Sequence, residues 1–499
     1  MEATMATTKV ENIDLIGDLD KLRMRALMNP FILDKVFSAL KDTSSLKASR
    51  LVCTTWSDVA TGYLGRRGSL LFSSKPTKEL ASFDHQLAKN VTLYMKCCCY
   101  EVCACSSNIH LALPTNFEPV LPKICGSLKT IQFIVGIGFK PRLHDMWLDY
   151  QFPNLTRISI FASQIGSEED DIKLDKFHPL PNLKIISFRI LPGYKMFSST
   201  KAGLSLICQK LLNAATNLDE LSLQTNFYLD LNKCRKLKKF GFEYQESRDV
   251  FTRDVVQFDH FEMDRMLKSC RNSLERLSLN YSTRRWHAIE YIKLNFDFPN
   301  LTELKIGASD VFKVDDCLNI IDLPNLTHLF LDTSDSTDLP DIVGTLHLPH
   351  DGITSLHVVT IHDGEVGEED VAKLGKLYPS VTQFKLDLSV EFIPHLDENF
   401  DSLKKMFESF GQWGLTSGQI SVRHALPPVI GRYREREFDS DIVFAVLEGM
   451  KEWKGLSNTC LDFLGDYDNI SFKLSDRLRN AVESCSAIRN LATRGYSWY

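Results

Sequence analysis

The most regular pattern of apolar and polar positions along the chain is a short phrase, L-x-x-L-x-L, in which Val, Ile or Phe often replaces Leu. Its nine copies are FPNLTRISI (152–160), LPNLKIISF (180–188), TNLDELSL (216–223), RKLKKFGF (235–242), NSLERLSL (272–279), FPNLTELKI (298–306), LPNLTHLFL (323–331), TSLHVVTI (354–361) and PSVTQFKL (379–386). Because side chains alternate along a strand, the last two apolar residues of each copy point the same way. Stacked copies therefore predict a parallel sheet with one continuous apolar face.

The first apolar positions of successive copies are 28, 35, 19, 37, 27, 25, 30 and 25 residues apart. Repeats of this kind commonly run to about 20–29 residues, so the longer steps predict fuller helices or insertions, and the 19-residue step points to a misassigned strand. The phrase resembles that of leucine-rich repeats. The resemblance implies an irregular α/β solenoid with a parallel sheet on its concave side and helices or loops on its convex side. The alternative is a set of unrelated amphipathic strands in one large α/β domain.

A helical period precedes the repeats, between residues 29 and 64. Asn29 is a good helix N-cap, and Pro30 suits the first helical position. The apolar residues between 32 and 40 then follow one face of a helix. A polar turn and two further apolar stretches at helical spacing come next, around Leu46 and Trp56. The pattern predicts three short helices, which bury little surface by themselves and therefore need a partner.

This stretch resembles an F-box, whose first helix ends I-F-x-x-L, as VFSAL does here (36–40), and whose next run ends V-C-x-x-W, as the segment from Leu46 does with VCTTW (52–56). The resemblance implies docking on the Skp adaptor of a Skp–cullin–F-box (SCF) ubiquitin ligase. The residues it assigns to that contact are Pro30, Leu33, Val36, Phe37, Leu40, Leu46, Val52 and Trp56. The family usually begins L-P-x-E, whereas this chain has MNPF at residues 28–31, without the acidic residue. The alternative is a small helical cap on the repeats that uses the same apolar residues internally.

Composition narrows the class of protein. Apolar residues make up 44% and charged residues 24% of the chain, which is typical of globular proteins. A formal net charge of −6 argues against a general nucleic-acid binder. The sequence shows neither a secretory h-region nor an apolar run of about 20 residues. We therefore expect no nucleic-acid or membrane partner, a cytoplasmic or nuclear location, and mostly free thiols among the 13 cysteines.

Two clusters of metal-ligand residue types stand out. In KCCCYEVCAC (96–105), a turn would bring together the four thiolates of a structural zinc site, which are Cys97, Cys99, Cys103 and Cys105. The C-x-C spacing is tighter than the usual C-x2-C, and buried free cysteines are common, so we expect no metal or other cofactor and keep zinc as the alternative. Histidines at 347, 350, 357 and 362 match no metal motif, and we expect them in a solvated loop.

The sequence contains no nucleotide-binding or hydrolase motif of the familiar kinds, so we expect no catalytic residue. Residues that flank the fourth position of each copy should point away from the core. They form the predicted substrate surface: Arg157, Glu220, Gln224, Lys239, Arg276, Glu303, Lys305, His328, Phe330, Asp332, His362 and Lys385. Mixed charges with an occasional aromatic residue are typical of a specific protein interface. The basic run at 233–239 is interpreted as solvated, with a phosphate or acidic-peptide contact as the alternative.

The sequence thus predicts five regions: a tail (1–26), an F-box (27–66), a linker with divergent first repeats and the cysteine cluster (67–145), leucine-rich repeats (146–425), and last divergent repeats with a C-terminal helical cap (426–499). The resemblance implies the substrate receptor of a cullin ubiquitin ligase, a non-catalytic subunit that promotes protein degradation by holding an unidentified protein substrate. The alternatives are a non-ligase binding scaffold with a vestigial F-box, a zinc-dependent protein, and an enzyme in its own right.

Overall fold

A computed structural model describes residues 20–73, 88–95, 116–135, 142–162, 177–190, 198–245, 258–282, 292–293, 297–307, 312–313, 318–333, 339–362, 368–391, 398–425, 440–453, 458–465, 480 and 490–495. The chain forms two compact units, Met1–Asn217 and Leu218–Tyr499. The boundary falls inside the region predicted as repeats.

Unit 1 begins with a helical module. Its helices are α1 (described over residues 20–27), α2 (Pro30–Ala39), α3 (Thr43–Ser49) and α4 (Thr54–Arg67). The Asn29 side chain accepts a hydrogen bond from the Phe31 N–H, which confirms the predicted cap of α2. The three predicted helices are present. The predicted boundary at residue 27 is wrong, because residues 20–26, assigned to a tail, are helical as well.

The module has a small apolar core of its own. Its buried residues are Leu33, Phe37, Leu46, Ala60 and Tyr63, and Leu40, Trp56, Val59 and Leu64 pack against them. The ring of Phe37 meets Trp56 edge-on at 5.5 Å between centroids. The Asn90 side chain donates to the backbone carbonyl of Arg66 at 2.7 Å, so the module is joined to the second strand of unit 1.

The remainder of unit 1 is a parallel sheet with helices between its strands. The elements are β1 (Ser69–Ser73), β2 (Asn90–Met95), α5 (Leu121–Ile124), β3 (Thr130–Val135), α6 (Arg142–Asp149), β4 (Arg157–Ala162), β5 (Ile185–Ile190) and α7 (Ser198–Ala214). Each strand pairs in parallel with the next, from β1 to β5. Three strands therefore lie in the region predicted as linker and divergent repeats, and they continue the repeat pattern.

Unit 2 repeats the same arrangement. Its strands are β6 (Glu220–Thr225), β7 (Lys239–Gln245), β8 (Arg276–Ser282), β9 (Ile292–Lys293), β10 (Glu303–Gly307), β11 (Phe312–Lys313), β12 (His328–Asp332), β13 (Ser355–His362), β14 (Gln383–Glu391), β15 (Ser417–Ala425), β16 (Asn458–Gly465) and β17 (Asn490–Gly495). Its helices are α8 (His260–Cys270), α9 (Leu339–Thr345), α10 (Glu368–Leu377), α11 (Glu398–Phe410) and α12 (Ser440–Gly449). Strands β9 and β11 form a separate parallel pair, and the others follow one another in one parallel sheet. The fold is α/β and solenoid-like, and all nine copies of the phrase form strands.

Two details of the repeat prediction are wrong. The 19-residue step is genuine, because β6 and β7 pair directly from Glu220 with Lys239. The copy TSLHVVTI was placed three residues late, since Leu356 pairs with Leu329 on one side and Phe384 on the other. Its first apolar residue is Ile353, which makes the two adjoining steps 27 and 28 residues long. An odd shift exchanges the two faces of a strand.

The end of the chain also differs from the prediction. Residues 490–495 were assigned to a terminal helix, but they form strand β17, where Leu491 pairs with Leu461 of β16. An unpaired sheet edge gains hydrogen bonds by adding a strand, and this outweighs a helical pattern in the sequence. Residues 466–489, apart from residue 480, lie outside the described part. Earlier in the region assigned to divergent repeats and the cap, SDIVFAVLEG forms helix α12.

The recurring Asn-Leu pairs, three of which are followed by Thr, join one repeat to the next. The asparagine Nδ2 donates to a backbone carbonyl of the preceding repeat in five places: Asn154 to Gly126, Asn182 to Pro153, Asn217 to Pro181, Asn300 to Asn272, and Asn325 to Pro299, at 2.6–2.8 Å. The threonine hydroxyl does the same two residues later, for example Thr302 to the Glu275 carbonyl at 3.0 Å. We call this series the asparagine–threonine ladder. The asparagine bonds satisfy carbonyls that strand pairing leaves without a partner, and the threonine bonds add a further donor to carbonyls that already accept backbone N–H groups.

The two faces of the unit 2 sheet differ in chemistry. One packs against the helices; there Phe384 of β14 contacts the rings of Phe410 and Trp413 at 4.6 and 5.1 Å. The alternate positions form what we call the polar face, where Glu220, Arg276 and Lys385 are exposed or half-exposed. A sheet that is apolar on one side only leaves its other side for binding.

Candidate functional sites: an apolar patch and a polar sheet face

The eight residues predicted to contact an adaptor have unequal exposure. Leu33, Phe37 and Leu46 are buried in the core of the helical module, so they support its shape and cannot touch a partner directly. Leu40 and Trp56 are partly buried in the same core. The remaining three, Pro30, Val36 and Val52, are exposed. The prediction therefore mixed the framework of the surface with the surface itself.

The exposed apolar side chains of the module extend the predicted surface. Large apolar side chains are exposed on α1 (Leu22, Met24 and Leu27), and also on α2 and the turns before α2 and after α3. We call the second set, Met28, Phe31, Ile32, Val36, Leu51 and Val52, the apolar patch. Phe31 is 84% exposed and Leu51 is 88% exposed, which is unusual for such large side chains. Clustered exposure of this kind marks an interaction site. Sequence reasoning missed four of the six, Met28, Phe31, Ile32 and Leu51, because it assigned the contact to the residues that match the family's motif.

Contacts between the ends of two helices bring the parts of the patch together. The Cys53 Sγ lies 3.7 Å from the Met28 Sδ, which places the turn after α3 against the start of α2. The Trp56 indole N–H donates to the Leu27 carbonyl at 2.7 Å. Cys53 itself is the extended residue before α4, not a residue within it. Cys53 and Trp56 of the VCTTW segment thus hold the start of α2 next to the turn after α3, and these two segments carry the patch.

Polar contacts fix the helices that carry the patch. The Asp42 carboxylate accepts hydrogen bonds from the hydroxyl and N–H groups of Ser44 and Ser45 at the start of α3, and these bonds hold its pKa well below the usual range. The Arg67 guanidinium reaches the last carbonyls of α2, including that of Ser38 at 2.9 Å. Charges at these helix ends favour the helical conformation.

On the polar face, charged side chains of neighbouring strands pair with one another. Lys239 Nζ lies 3.7 Å from Glu220 Oε2, and Arg276 Nε lies 3.2 Å from Glu303 Oε2. The Gln224 amide donates to Glu243 at 2.7 Å. Exposed pairs of this kind add little stability. They leave a polar surface whose charges are already matched across strands β6–β10.

A denser cluster lies further along the same face. Lys305 Nζ is 4.1 Å from the ring centroid of Phe330, and the His357 ring meets Phe330 edge-on at 4.1 Å. His357 Nε2 donates to Asp387 Oδ2 at 2.7 Å, and Lys385 Nζ lies 3.0 Å from the same oxygen. We call these five residues the aromatic–ionic cluster. Buried or half-buried aromatic and charged groups in one rigid set are typical of binding hot spots.

The titration of Asp387 reflects its place in that cluster. Partial burial raises its pKa, but hydrogen bonds from His357, Lys385 and Ser421 outweigh burial and lower the pKa to about 2. A carboxylate can only accept, so the proton between it and His357 belongs to the histidine Nε2. Asp387 therefore stays ionised at physiological pH and holds both His357 and Lys385 in the cluster.

The structure separates the other predicted substrate-surface residues. Arg157 is exposed on β4 of unit 1, and His328 is exposed on β12 with its Nδ1 2.8 Å from the Thr327 hydroxyl. Asp332 is half-buried at the end of β12. The three-residue frame error moves the fourth position of this copy from Val359 to Leu356, so position 362 does not flank it; the side chain of His362 lies outside the described part.

The histidine group is a solvated loop only in part, because His347 is exposed but His350 and His357 are not. His357 belongs to the aromatic–ionic cluster, and His350 is fully buried. His350 Nε2 donates to the Leu323 carbonyl at 2.9 Å, and its Nδ1 accepts from the Gly352 N–H at 3.2 Å. One ring nitrogen donates and the other accepts, so the imidazole is neutral and serves as a link between repeats. This role was missed because the TSLHVVTI copy was placed three residues late, which left His350 outside the repeat phrase.

The predicted zinc ligands Cys97, Cys99, Cys103 and Cys105 lie outside the described residues. Among the residues that are described, no group of three or more histidine, cysteine or acidic side chains is arranged to hold a metal ion. In the same part of the chain, no helix has the length and apolar character needed to cross a membrane.

Comparison with known proteins returned no relative. No family model matches the chain, and no curated protein is significantly similar to it.

Proposed function

We propose that this protein is the substrate-recognition subunit of an SCF-type ubiquitin ligase. The helical module is an F-box that docks on a Skp adaptor, and the strands and helices that follow are leucine-rich repeats that hold a protein substrate on their polar face. The observation that carries the proposal is the apolar patch, which exposes large apolar side chains over a well-packed core. A monomeric protein gains nothing from such exposure.

The two surfaces give the proposal its mechanism. The apolar patch supplies buried area for a stable adaptor contact, in which Phe31, Val36, Leu51 and Val52 are the anchors. The aromatic–ionic cluster supplies a pre-formed anchor for the substrate. The cullin partner would then bring the ubiquitin-charged enzyme to a bound substrate, so the contribution of this chain is proximity. Such a subunit needs no catalytic residue.

Co-purification of the full chain with a Skp adaptor tests the proposal. A Val36→Asp, Val52→Asp variant should retain at least about tenfold less adaptor than the wild type, because it puts charge on an apolar contact. The control is Lys35→Asp, Lys47→Asp, which adds carboxylates at exposed polar positions of α2 and α3. Circular dichroism should show both variants folded.

The second candidate is a binding scaffold whose F-box no longer serves ubiquitin transfer. The MNPF segment at 28–31 favours it, because the family's acidic residue is missing there. Folded wild-type chain that fails to retain the adaptor would support the scaffold and contradict the receptor. If the chain binds the adaptor but no ubiquitylated partner is found in cells, this result would also support the scaffold and contradict the ligase function.

A further inference from the structure

A groove of about 820 Å³ runs along the edge of unit 2 where strands β6–β12 begin. One row of its lining consists of the residues just before successive strands, namely Asp219, Lys238, Glu275, Thr302 and Thr327. The other row consists of Arg235, Lys236, Asn272, Ser273, Asn300 and Asn325, which precede the first row by two or three positions. The groove is separate from the polar face, whose residues come after the strands have begun.

Charge is confined to one end of this groove. The end near β6–β8 holds three cations and two carboxylates, whereas the end near β10 and β12 is lined by asparagine and threonine. Lys238 Nζ lies 2.7 Å from Glu275, so that pair is already matched. Arg235 is exposed, and within the described part of the chain it has no carboxylate at ion-pair distance. A guanidinium in this position is available for an anionic group.

The uncharged end is built from the asparagine–threonine ladder. Asn300 and Asn325 each use one amide hydrogen on the preceding repeat, at 2.7 and 2.6 Å, which fixes their side chains. The amide oxygen and the second N–H of each remain as an acceptor and a donor. A fixed carboxamide can pair with both the N–H and the C=O of a peptide, so this end suits the main chain of an extended segment.

We propose that the groove binds an extended protein segment carrying one acidic residue, with its carboxylate on Arg235 and Lys236 and its main chain on Asn300 and Asn325. Three strand spacings separate β7 from β12 in the sheet, or roughly 14 Å, which is the length of about four extended residues. As a site for the substrate, the groove rests on the function proposed above; the binding itself does not.

The carboxylates of Asp219 and Glu275 indicate that the groove binds a ligand with one acidic residue and not one with several in succession. Asp219 and Glu275 lie among the three cations and offset two of their charges, so one ligand carboxylate neutralises this end of the groove. Further negative charge, as in a nucleic-acid backbone or a polyacidic tail, would then meet repulsion from the two acids. A single carboxylate on Arg235 avoids most of that repulsion. Removal of these acids should therefore admit ligands that the wild-type groove rejects.

Retention of fluorescent peptide libraries on the immobilised full chain tests the proposal. The libraries have random uncharged residues around a central Glu, Gln or phosphoserine, or around five consecutive Glu. At low salt the Glu library should be retained about tenfold better than the Gln library, as for a charge-assisted hydrogen bond. Arg235→Gln, Lys236→Gln should abolish that preference. Lys233→Gln, an exposed change outside the groove lining, should leave it intact.

A gain-of-binding variant keeps the test independent of folding defects. Asp219→Asn, Glu275→Gln should raise retention of the five-Glu library at least about fivefold, since repulsion is removed. Equal retention of the Glu and Gln libraries, or an equal loss in Lys233→Gln, would overturn the proposal. Retention of the phosphoserine library alone would overturn the assignment to a carboxylate. Because no adaptor is present, these outcomes are separate from failure of the ligase function.

Discussion

At the scale of single residues, neighbours in the sequence have opposite roles in the helical module. Phe37 is completely buried in its core, while Val36 beside it is 45% exposed on the apolar patch. Both positions fit the same apolar pattern, and periodicity alone cannot separate a core residue from a docking residue. The packing of α2 against α4 shows that Phe37 is a core residue and Val36 is a surface residue. Substitutions at the two positions should therefore have different effects.

The first prediction compares Phe37→Asp with Val36→Asp. Phe37→Asp should lower the free energy of unfolding by about 4 kcal/mol or more, because it loses ring contacts and buries an unpaired charge, and the module should unfold. Val36→Asp, at an exposed position, should leave the module folded. Limited trypsin digestion, mapped to the lysines and arginines between residues 35 and 67, measures this directly. Equal protection of the two variants would contradict the burial of Phe37.

The second prediction concerns His350. Replacement by Phe keeps an aromatic ring but leaves the Leu323 carbonyl and the Gly352 N–H without their partner. The expected destabilisation is about 2–4 kcal/mol, seen as a lower urea midpoint in tryptophan fluorescence. His347→Phe is the matched control, since His347 is exposed. A similar midpoint shift in both variants would mean that His350 is not a structural link.

The third prediction concerns pH. Because the folded-state pKa of Asp387 is lowered to about 2, its contribution to stability is present above its unfolded pKa of about 4 and is lost as the pH falls toward 2. At pH 5 the free energy of unfolding of Asp387→Asn, from urea titration, should therefore be about 1–2 kcal/mol lower than that of the wild type. At pH 2.5 this difference should be smaller. A constant difference would contradict the shift.

At the scale of elements, the repeating phrase was enough to predict every strand in residues 152–391 that belongs to the main sheet. It predicted the frame of eight copies correctly and failed at TSLHVVTI, because both Leu356–Val359–Ile361 and Ile353–Leu356–Val358 satisfy the apolar pattern. Strand pairing with Leu329 decides between them. The strand β3 was missed although Leu128, Ile131 and Phe133 follow the same phrase.

The fourth prediction separates the ladder from the apolar positions beside it. Asn300→Ala removes one hydrogen bond to the previous repeat from an exposed site and should cost about 1 kcal/mol. Leu301→Ala leaves a cavity in the core and should cost about 3 kcal/mol. Urea midpoints should rank the variants in that order, with Asn232→Ala, an exposed asparagine outside the ladder, close to wild type. A larger loss for Asn300 than for Leu301 would reverse this account.

At the scale of the whole molecule, the candidate sites differ in how far the sequence reveals them. The helical module lies in about 50 consecutive residues, so its position could be read from the sequence, although Met28, Phe31, Ile32 and Leu51 of its exposed surface were missed. The aromatic–ionic cluster takes its five residues from four strands, and the groove takes its lining from five strand starts. Residues spread over more than 80 positions become one site only when the pairing register is known.

The last prediction follows from this distribution of sites along the chain. The apolar patch lies within residues 28–52 of unit 1, and the groove lies within residues 219–327 of unit 2. If they are separate binding sites, Val36→Asp, Val52→Asp should abolish adaptor capture while the preference for the Glu library stays within about twofold of wild type, because sites that share no residues or partners act additively. Arg235→Gln, Lys236→Gln should do the reverse. Both assays are run on the same purified full-length chains, so loss of both activities in either variant would indicate a shared folding defect or one coupled site, and would contradict this division of labour.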